Sequence, residues 1–379
     1  MSKFIKLPNA ILCLILLIFS TQALGQKESL IISKEAEIQR SNAYEKQLAD
    51  YLKAYLVDDY EQRAAKAWNR DYSSIDAFKR SVEPNRNKWK SMVIKPPILR
   101  KTGSLKRRPY SLGSIQAEWI ELSLGPITAE GILAFPPGAS KVKPVPIVIA
   151  QHGIGSNPES PFDEAGSLSK EYHAYAKALV DAGFAVLAPL NLRDVERRNH
   201  IESLCRLANI SLPGIELVRL QNLLDVVLDD PRIDKERVGM WGVSLGGMAT
   251  MFFMPLEPRI KAGVVSGWFN ERRNKMVVDD SRYSSFWPRE SHAFFSGWLT
   301  EFSDDNLVSL ICPRPLLIQT GKKDGIAYWP QVIEEFKKAE IPYQKFNVQD
   351  RIKLDVHEGI HEAVVEDGVK FLIKWLNPK

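Results

Sequence analysis

Apolar and polar residues follow a helical period in the first quarter of the chain. One predicted helix face carries apolar side chains at helical spacing, namely Leu48, Leu52, Tyr55 and Leu56. A second helix is predicted to begin near Ser73, which stands three residues before Asp76, the spacing of a capping box. The pair Pro96-Pro97 ends this pattern. We therefore expect an N-terminal helical extension over residues 26–110.

Strand-like patterns follow the extension. The segments AEWIELSL and TAEGILAFPP alternate apolar and polar residues around a Gly-Pro turn, which predicts an antiparallel hairpin. From about residue 145, continuous apolar runs alternate with helical patterns, and these runs are VPIVIAQHG, FAVLAPL, RVGMWGV, IKAGVVSGW and RPLLIQTG. This order predicts an α/β domain over residues 111–379, with a mainly parallel twisted sheet and helices on both faces. Ligands bind at the carboxyl edge of such sheets.

The first 25 residues form a separate segment. Lys3 and Lys6 precede an almost wholly apolar run from Ala10 to Phe19, and Ala23-Leu24-Gly25 supplies small residues at the cleavage position. The run is shorter than the roughly 20 residues that a membrane-spanning helix needs. We therefore predict a removable signal peptide over residues 1–25, a secreted or periplasmic protein, and no stable membrane insertion after cleavage.

The net charge gives no indication of a nucleic-acid partner. The formal charge is +5, and it falls by two to +3 when Lys3 and Lys6 leave with the signal peptide. Such a value is close to neutral for 379 residues. Three basic clusters are expected to be solvated surface, namely Lys106-Arg107-Arg108, Arg193 with Arg197-Arg198, and Arg272-Arg273. Cys205 and Cys312 could pair in an oxidising compartment, but two isolated cysteines do not indicate a metal site.

The stretch VGMWGVSLGGMATMFF, residues 238–253, places a serine between glycines where a buried strand meets a helix. In so sharp a turn, the residues two before and two after Ser244 come close together, so glycine is needed at positions 242 and 246. The turn lifts the hydroxyl out of the packed layer. It also sets the hydroxyl beside the first amides of a helix, whose partial positive charge favours an anion. Ser244 is therefore the candidate nucleophile.

A serine hydroxyl needs a histidine base that is oriented by a carboxylate. In a sheet of this type the acid follows a late strand and the histidine follows the last strand. Asp324 comes directly after RPLLIQTG, and both His357 and His361 follow the predicted last strand. His361 lies past Gly359, in the loop before the final helix, and this position suits a base that must reach Ser244. His357, at the strand end, stays the alternative.

Other titratable residues suit these roles less well. Glu358, Glu362 and Asp355 are rival acids, but a residue adjacent to a histidine rarely points back at its ring. His173 is predicted to lie inside a helix, and His200 is predicted to lie in a loop. Both histidines are expected to be structural or surface groups.

Five stretches together resemble the α/β-hydrolase superfamily, especially its dienelactone-hydrolase-like and acetyl-xylan-esterase-like branches. The stretches are GILAFPPG…KPVPIVIAQHGIGS, GFAVLAPL, RIDKERVGMWGVSLGG, CPRPLLIQTGKKDG and DRIKLDVHEGIHE. They extend from about residue 115 to the C-terminus, and together they are far more specific than the serine motif. The last stretch has Gly359-Ile360 before its histidine, where relatives often have two glycines.

The resemblance implies a serine esterase with Ser244 as nucleophile, Asp324 as acid and His361 as base. The stretch QHGIGS resembles the family's oxyanion loop, so the resemblance also implies an oxyanion hole made by the amides of Leu245 and Ile154. The implied mechanism is acyl transfer through an acyl-enzyme, and it requires no metal or organic cofactor.

Substrate contacts are expected from the loops at the carboxyl edge. The chain between residues 266 and 311 is long enough to form a lid-like insertion, rich in aromatic residues that either line a sugar site or pack a small core of their own. The candidate substrate-binding residues are His152, Arg193, Trp268, Trp287 and Trp298. Arg193 could bind a uronate carboxylate, and His152 is expected to support the oxyanion loop. Secretion, the aromatic residues and the resemblance together suggest an ester of a plant or algal polysaccharide, such as acetylated xylan.

Two other functions remain open from the sequence. A prolyl-oligopeptidase-type serine peptidase shares this catalytic domain, but the residues before position 110 cannot form the β-propeller that such enzymes carry. A catalytically inactive hydrolase used as a binding module is the other alternative, although such a module would not need a serine, a histidine and an acid together.

Overall fold

The computed structural model describes residues 33–283 and 289–376. The chain forms two compact units that divide between Leu52 and Lys53. The signal peptide predicted over residues 1–25 lies outside the described residues. Within the described ranges, no helix is both long and apolar enough to cross a membrane.

Helices and strands alternate through most of the second unit. The α-helices are α1 (Lys34–Lys53), α2 (Tyr60–Ala67), α3 (Ile75–Ser81), α4 (Glu83–Lys88), α5 (Ser169–Tyr172), α6 (Tyr175–Asp181), α7 (Val195–Leu207), α8 (Leu212–Val227), α9 (Leu245–Phe253), α10 (Arg272–Val277), α11 (Trp298–Glu301), α12 (Asp304–Ile311), α13 (Trp329–Ala339), α14 (Ile341–Lys345) and α15 (Val365–Leu376). Short π-type turns (Ala54–Asp58 and Trp89–Ile94) and 3-10 turns (Ser160–Phe162, Ser291–Ala293 and Gln349–Arg351) complete the helical segments.

Nine strands form a single sheet in the described chain. They are β1 (Lys106–Leu112), β2 (Ile115–Ser123), β3 (Thr128–Phe135), β4 (Val145–Gln151), β5 (Ala185–Pro189), β6 (Ile233–Val243), β7 (Ile260–Ser266), β8 (Leu316–Gly321) and β9 (Ile352–His357). Their order across the sheet is β1-β2-β3-β5-β4-β6-β7-β8-β9. The first three strands pair antiparallel, and the six strands from β5 to β9 run parallel. The predicted mainly parallel α/β fold is therefore confirmed.

The position of β4 determines where a ligand site can form. From β4 the chain crosses to β5 on one side and then returns to β6 on the other. The chain after β4 leads to one side of the sheet, whereas the chain after the adjacent β6 leads to the other side. Open α/β sheets bind ligands at such a switch point. Every side chain of β4 is buried, as the continuous apolar run VPIVIAQ predicts.

The core has two layers because helices cover both sheet faces. One layer packs α6 and α15 against the sheet, with Tyr175, Leu179 and Phe371 among its buried residues. The other layer packs α8, α9, α12 and α13 against the opposite face, and Phe252 and Leu307 lie within it. Cavities and loops at the carboxyl edge therefore rest on a sheet that is fixed from both sides.

Residues 60–94 contribute buried side chains to the same core as the sheet. Trp89 is fully buried, packs edge-on against Phe252 with ring centroids 4.9 Å apart, and donates from Nε1 to the Phe252 carbonyl at 3.3 Å. Strand β1, which begins at Lys106, also pairs with β2. Of the helices in the described ranges, only α1 lies largely in the first unit. It is a 20-residue helix without buried residues, and Lys46 pairs with Asp50 at 2.7 Å on its surface.

Several local predictions differ from the structure. His200 lies within helix α7 rather than in a loop, and Asp194 caps that helix by accepting from the Arg197 amide at 2.9 Å. His173 does not lie inside a helix. It and Ala174 adopt φ values of 48° and 49°, and this left-handed pair separates α5 from α6.

The basic clusters also need correction. The predicted solvated surface is wrong for Arg198 and Arg272, which are both 0% exposed. Arg198 pairs with Glu216 at 2.7 Å, and Arg272 pairs with Asp304 at 2.7 Å, so each buried charge has a carboxylate partner.

Candidate active site

The turn after β6 holds Ser244 in a strained conformation. Its φ of 60° and ψ of −120° are unusual for a residue with a side chain, and its amide donates to the Ser266 carbonyl of β7 at 2.9 Å. A Cβ at Gly242 would lie 2.1 Å from the Gly246 carbonyl group, and a Cβ at Gly246 would lie 2.1 Å from the Gln151 oxygen. Only glycine fits at either position, as the motif predicts.

His361 lies in the loop between β9 and α15. Its Nδ1 is 2.8 Å from Oδ2 of Asp324, which follows β8. The Asp324 side chain is completely buried, and its Oδ1 accepts from the Ile326 amide at 2.9 Å. The other ring nitrogen of His361, Nε2, is buried and has no hydrogen-bond partner among the described residues. His361 and Ser244 line the same cavity of about 220 Å³.

Asp324 is held in its ionised form. Burial alone would raise the pKa of this carboxyl, but the hydrogen bond and charge of His361, the Ile326 amide and the charge of Lys275 outweigh burial. The pKa of Asp324 is therefore lower than its ordinary value of 3.8. An ionised carboxylate on Nδ1 directs the ring so that Nε2 is the nitrogen available for proton transfer.

Side chains of three strands anchor the loop that carries His361. Gln319 of β8 donates from Nε2 to the Val364 carbonyl at 2.9 Å, and its Oε1 accepts from the Val364 amide at 3.2 Å. The same Oε1 accepts from Ser266 of β7 at 2.6 Å, and Ser266 in turn accepts from Trp241 of β6 at 3.0 Å. The histidine loop is thereby fastened to the centre of the sheet.

The alternative base and the rival acids lie elsewhere. Nδ1 of His357 accepts from the Gly359 amide at 3.2 Å, and His357 does not line the cavity. Glu358 pairs with Lys322 on the surface, whereas Glu362 is 2.6 Å from Nε2 of His173. Asp355 lies on β9, where burial raises the pKa of its carboxyl. The geometry therefore favours His361 and Asp324 over these residues.

The loop after β4 passes close to the nucleophile. A Cβ at Gly153 would lie 3.2 Å from the Ser244 Cβ and 3.0 Å from the Val243 carbonyl oxygen, so a side chain here would be tightly packed against the nucleophile turn. The Gly153 amide donates to the Tyr172 hydroxyl at 2.7 Å, and that hydroxyl is 2.6 Å from Ser156 Oγ. Ile154, the next residue, lines the cavity, and so does Leu245, the first residue of α9. The first amides of a helix have no acceptor within the helix.

His152 lies beneath this loop rather than in the cavity. It is 0% exposed, its Nδ1 is 3.1 Å from the Gly153 carbonyl, and its Nε2 accepts from the Asn191 amide at 3.1 Å. Burial, together with the charges of nearby arginines, lowers the pKa of His152 to about 4. The neutral ring therefore joins the loop after β4 to the loop after β5, and it does not reach a ligand in the cavity.

The remaining substrate-binding candidates divide into three groups. Trp268 lines the cavity. Trp298 is 2% exposed, lies outside the cavity wall and packs on Phe252 with ring centroids 5.2 Å apart, so it is a core residue. Arg193 is exposed on a separate groove, where its carbonyl accepts from the Gly155 amide at 2.9 Å. Trp287 lies outside the described residues.

The cavity also has polar walls that were not among the predicted site residues. Lys275, Glu290, His292 and Asn270 line it, and all four come from the chain between β7 and α11. Burial raises the pKa of the Glu290 carboxyl, whereas burial and two nearby arginines lower the pKa of His292 to about 3. The sequence does indicate their location, because all four residues lie in the insertion that is predicted to cover the site. Lys275, however, follows two arginines that suggested solvated surface.

Cys205 and Cys312 are both buried and unpaired. In the described ranges, no group of three or more His, Cys, Asp or Glu side chains is arranged to hold a metal ion.

Comparisons with known proteins give distant similarities. No protein-family profile matches the chain. The Escherichia coli O157:H7 protein named "Uncharacterized protein YfhR" is 24% identical over 163 residues, which are 42% of this chain and 53% of that protein. The chain thus spans about half the length of this relative. "Putative hydrolase YtaP" of Bacillus subtilis (strain 168) is 24% identical over 245 residues, covering 62% of this chain and 79% of that protein.

Solved structures share the fold over most of the chain. A "putative acetyl xylan esterase" from Bacteroides fragilis NCTC 9343 matches with a TM-score of 0.57 at 19% identity, over 76% of this chain and 78% of that chain. Glucuronoyl esterase from Solibacter usitatus matches with a TM-score of 0.59 at 13% identity, over 79% of this chain and 93% of that chain. A carbohydrate esterase family 15 glucuronoyl esterase from Caldicellulosiruptor kristjansonii matches with a TM-score of 0.58 at 17% identity, over 82% of this chain and 87% of that chain. The sheet order and these matches identify the α/β-hydrolase fold.

Proposed function

We propose that this chain is a serine carboxylic-ester hydrolase. Ser244 is the nucleophile, His361 is the general base, and Asp324 orients the base. The observation that carries the proposal is the 2.8 Å contact between His361 Nδ1 and Asp324 Oδ2, made by a histidine that shares a cavity with the strained Ser244. A histidine fixed by an ionised carboxylate is the arrangement that activates a serine hydroxyl.

The reaction would proceed by acyl transfer. Ser244 attacks the ester carbonyl while Nε2 of His361 accepts the hydroxyl proton, and the same nitrogen returns that proton to the departing alcohol. The amides of Leu245 and Ile154 hold the negative charge that develops on the carbonyl oxygen. Water then enters and bonds to the acyl carbon while it loses a proton to His361. The bond to Ser244 Oγ breaks, His361 returns the proton to that oxygen, and the acid leaves. Each of these steps uses groups of the chain itself, and no cofactor takes part.

We further propose a secreted enzyme that deacylates carbohydrate esters such as acetylated xylan. The cavity of about 220 Å³ is smaller than the 300–1,000 Å³ that is usual for drug-sized ligands, so it favours a short acyl group such as acetyl. Trp268 on the cavity wall offers an apolar surface to an acyl group or a sugar ring. The exposed Arg193, whose carbonyl accepts from the Gly155 amide, lines a separate groove where a uronate of a longer substrate would find a guanidinium.

The decisive experiment compares the wild-type protein with Ser244→Ala. Both are assayed on acetylated xylan fragments, feruloylated oligosaccharides, methyl-uronate oligosaccharides and a long-chain fatty ester. We expect acetate release from xylan to exceed fatty-ester hydrolysis, and we expect Ser244→Ala to abolish both. Higher activity on the fatty ester would overturn the substrate assignment alone. Equal activity of the variant, or failure of a fluorophosphonate to label Ser244, would overturn the esterase proposal.

A further inference from the structure

Lys275 is a buried lysine in the wall of the candidate active site. It lies on helix α10, which follows β7, and only 3% of its surface is exposed. It lines the same cavity as Ser244 and His361. Lysine is almost never fully buried unless its charge has partners, because transfer of an ammonium group from water is costly. Its position therefore calls for an explanation beyond packing.

The ammonium group contacts the loop that carries Asp324. Nζ of Lys275 donates to the Ile326 carbonyl, and the Ile326 amide donates to Asp324 Oδ1 at 2.9 Å. The other oxygen of the same carboxylate, Oδ2, meets His361 Nδ1 at 2.8 Å. Both main-chain groups of Ile326 are thus hydrogen-bonded: its carbonyl accepts from Lys275, and its amide holds the carboxylate that contacts the imidazole.

Charged groups from several elements face this lysine. Burial and the neighbouring Arg272 of α10 lower the pKa of Lys275, whereas Asp324 of the β8 loop, Glu290 of the insertion and Asp304 of α12 act in the opposite direction. The result is a pKa of about 7. Arg272 and Asp304 form a buried pair at 2.7 Å, so the charge of Asp304 is already matched. The positive charge of Lys275 correspondingly stabilises the carboxylate of Asp324.

We propose that Lys275 is a positioning residue for the Asp324–His361 pair. Its ammonium group holds the 324–326 loop through the Ile326 carbonyl, and its charge keeps the Asp324 carboxylate directed at the imidazole. This inference rests on the proposed esterase function, and it assigns Lys275 no contact with the reacting atoms. The expected effect therefore falls on kcat and leaves KM nearly unchanged.

The test compares two substitutions at Lys275 with a control. Lys275→Met fills similar space without a charge or a donor, and Lys275→Arg keeps a charge throughout the working pH range. Lys323→Met removes an exposed lysine that is adjacent to Asp324 in sequence, and it serves as the matched control. For each protein, kcat and KM for 4-nitrophenyl acetate and the rate of fluorophosphonate labelling are measured from pH 5 to pH 9. Thermal unfolding is followed at the same pH values.

At pH 6 we expect Lys275→Met to have a kcat roughly ten- to a hundredfold below the wild type, with KM within about twofold. The advantage of the wild type over Lys275→Met should shrink as pH rises through about 7, where the pKa of Lys275 lies. Lys275→Arg should keep its advantage over Lys275→Met to pH 9. Because the Met side chain avoids burying a charge, its unfolding midpoint at pH 6 should be no lower than that of the wild type.

Three results would overturn the proposal for Lys275. The first is a Lys275→Met variant with the wild-type kcat. The second is a loss of kcat that does not change with pH. The third is a loss of kcat accompanied by a lower unfolding midpoint, which indicates a purely structural role. These are distinct from failure of the esterase proposal, in which the wild type itself shows no labelling at Ser244. In that case the inference falls with the function on which it rests.

Discussion

The main chain of Gly267 lies directly against the imidazole of His361. A Cβ built on Gly267 would be 2.7 Å from Cε1 and 2.9 Å from Nδ1 of that ring. Gly267 directly follows β7 and adopts a φ of 62°, a left-handed conformation that side chains rarely take. The ring of His361 therefore contacts both the Asp324 carboxylate and the main chain of Gly267.

This contact predicts that Gly267→Ala displaces the base. The added methyl group must push the ring away from Asp324 Oδ2 or shift the strand end, so we expect kcat to fall roughly 10²- to 10⁴-fold, the usual contribution of a general base. The measurement is the rate of ester hydrolysis, together with the rate of fluorophosphonate labelling at Ser244.

Gly113 supplies the matched control for that substitution. It also has a φ of 62°, but it lies in the turn between β1 and β2, and a Cβ there would meet nothing within 4 Å. Gly113→Ala therefore carries the same backbone strain without the clash. We expect it to lose stability and to keep its kcat. If both variants lose activity equally, backbone strain rather than displacement of His361 explains the loss.

A second prediction separates Asp324 from Asp355, one of the rival acids. Asp324→Asn should lower kcat by roughly 10³- to 10⁴-fold, because a neutral amide stabilises neither the required tautomer of His361 nor its protonated form. Asp355→Asn should leave kcat within about threefold of the wild type, since Asp355 lies on β9 and the carboxylate that meets His361 Nδ1 is that of Asp324. Steady-state kinetics on one substrate suffices. A larger loss in Asp355→Asn than in Asp324→Asn would reverse the assignment.

The elements of the site that were predictable from sequence are those set by local geometry. The strand, the glycine pattern and the following helix determine the turn at Ser244, and all three are adjacent in the chain. The positions of Asp324 and His361 follow from strand order, because each comes directly after a strand whose end lies at the same edge. The parallel sheet was also predictable from the sequence, because buried parallel strands are continuous apolar runs.

The elements that were missed depend on partners far apart in the sequence. Arg272 looked like surface because its carboxylate partner, Asp304, is 32 residues away. Lys275 was overlooked for the same reason, since its contact with Ile326 forms only when helix α10 meets the loop after β8, 51 residues away. Trp298 could equally have lined a sugar site, and its burial against Phe252 depends on how residues 53–94 fill the core.

A third prediction concerns the Tyr172 hydroxyl, which accepts from the Gly153 amide and so clamps the loop after β4. Tyr172→Phe removes the acceptor of the Gly153 amide, and a buried donor left without a partner costs about 1–3 kcal/mol. Because the adjacent Ile154 amide is the proposed oxyanion donor, we expect kcat to fall about tenfold while KM changes little. The variant is assayed beside the wild type with a short-chain ester.

Tyr175→Phe is the control for Tyr172→Phe. Tyr175 is also buried, and its hydroxyl donates to the carbonyls of Trp241 and Gln151 rather than to the Gly153–Ser156 loop. We expect Tyr175→Phe to lower stability without the tenfold loss of kcat. A larger kcat effect from Tyr175 than from Tyr172 would contradict the clamp.

The last prediction follows from the buried neutral ring of His152. Its pKa of about 4 lies below the ordinary value of 6.5, so between these pH values the unfolded chain binds a proton that the folded chain does not. The free energy of unfolding must therefore fall as pH decreases from 6.5 to 4. At pH 4 the loss from this one group is about 3 kcal/mol, since each pKa unit corresponds to about 1.4 kcal/mol.

His152→Gln isolates this contribution, because glutamine does not titrate and its amide oxygen can accept from the Asn191 amide in place of Nε2. Urea denaturation at pH 7, 5.5 and 4 should show that the wild type loses about 3 kcal/mol more than His152→Gln between pH 7 and pH 4. Other acid-sensitive groups, His292 among them, cancel in this difference because both proteins carry them. The exposed His200→Gln serves as control and should parallel the wild type. Parallel curves for wild type and His152→Gln would mean that the ring is not held neutral between the two loops.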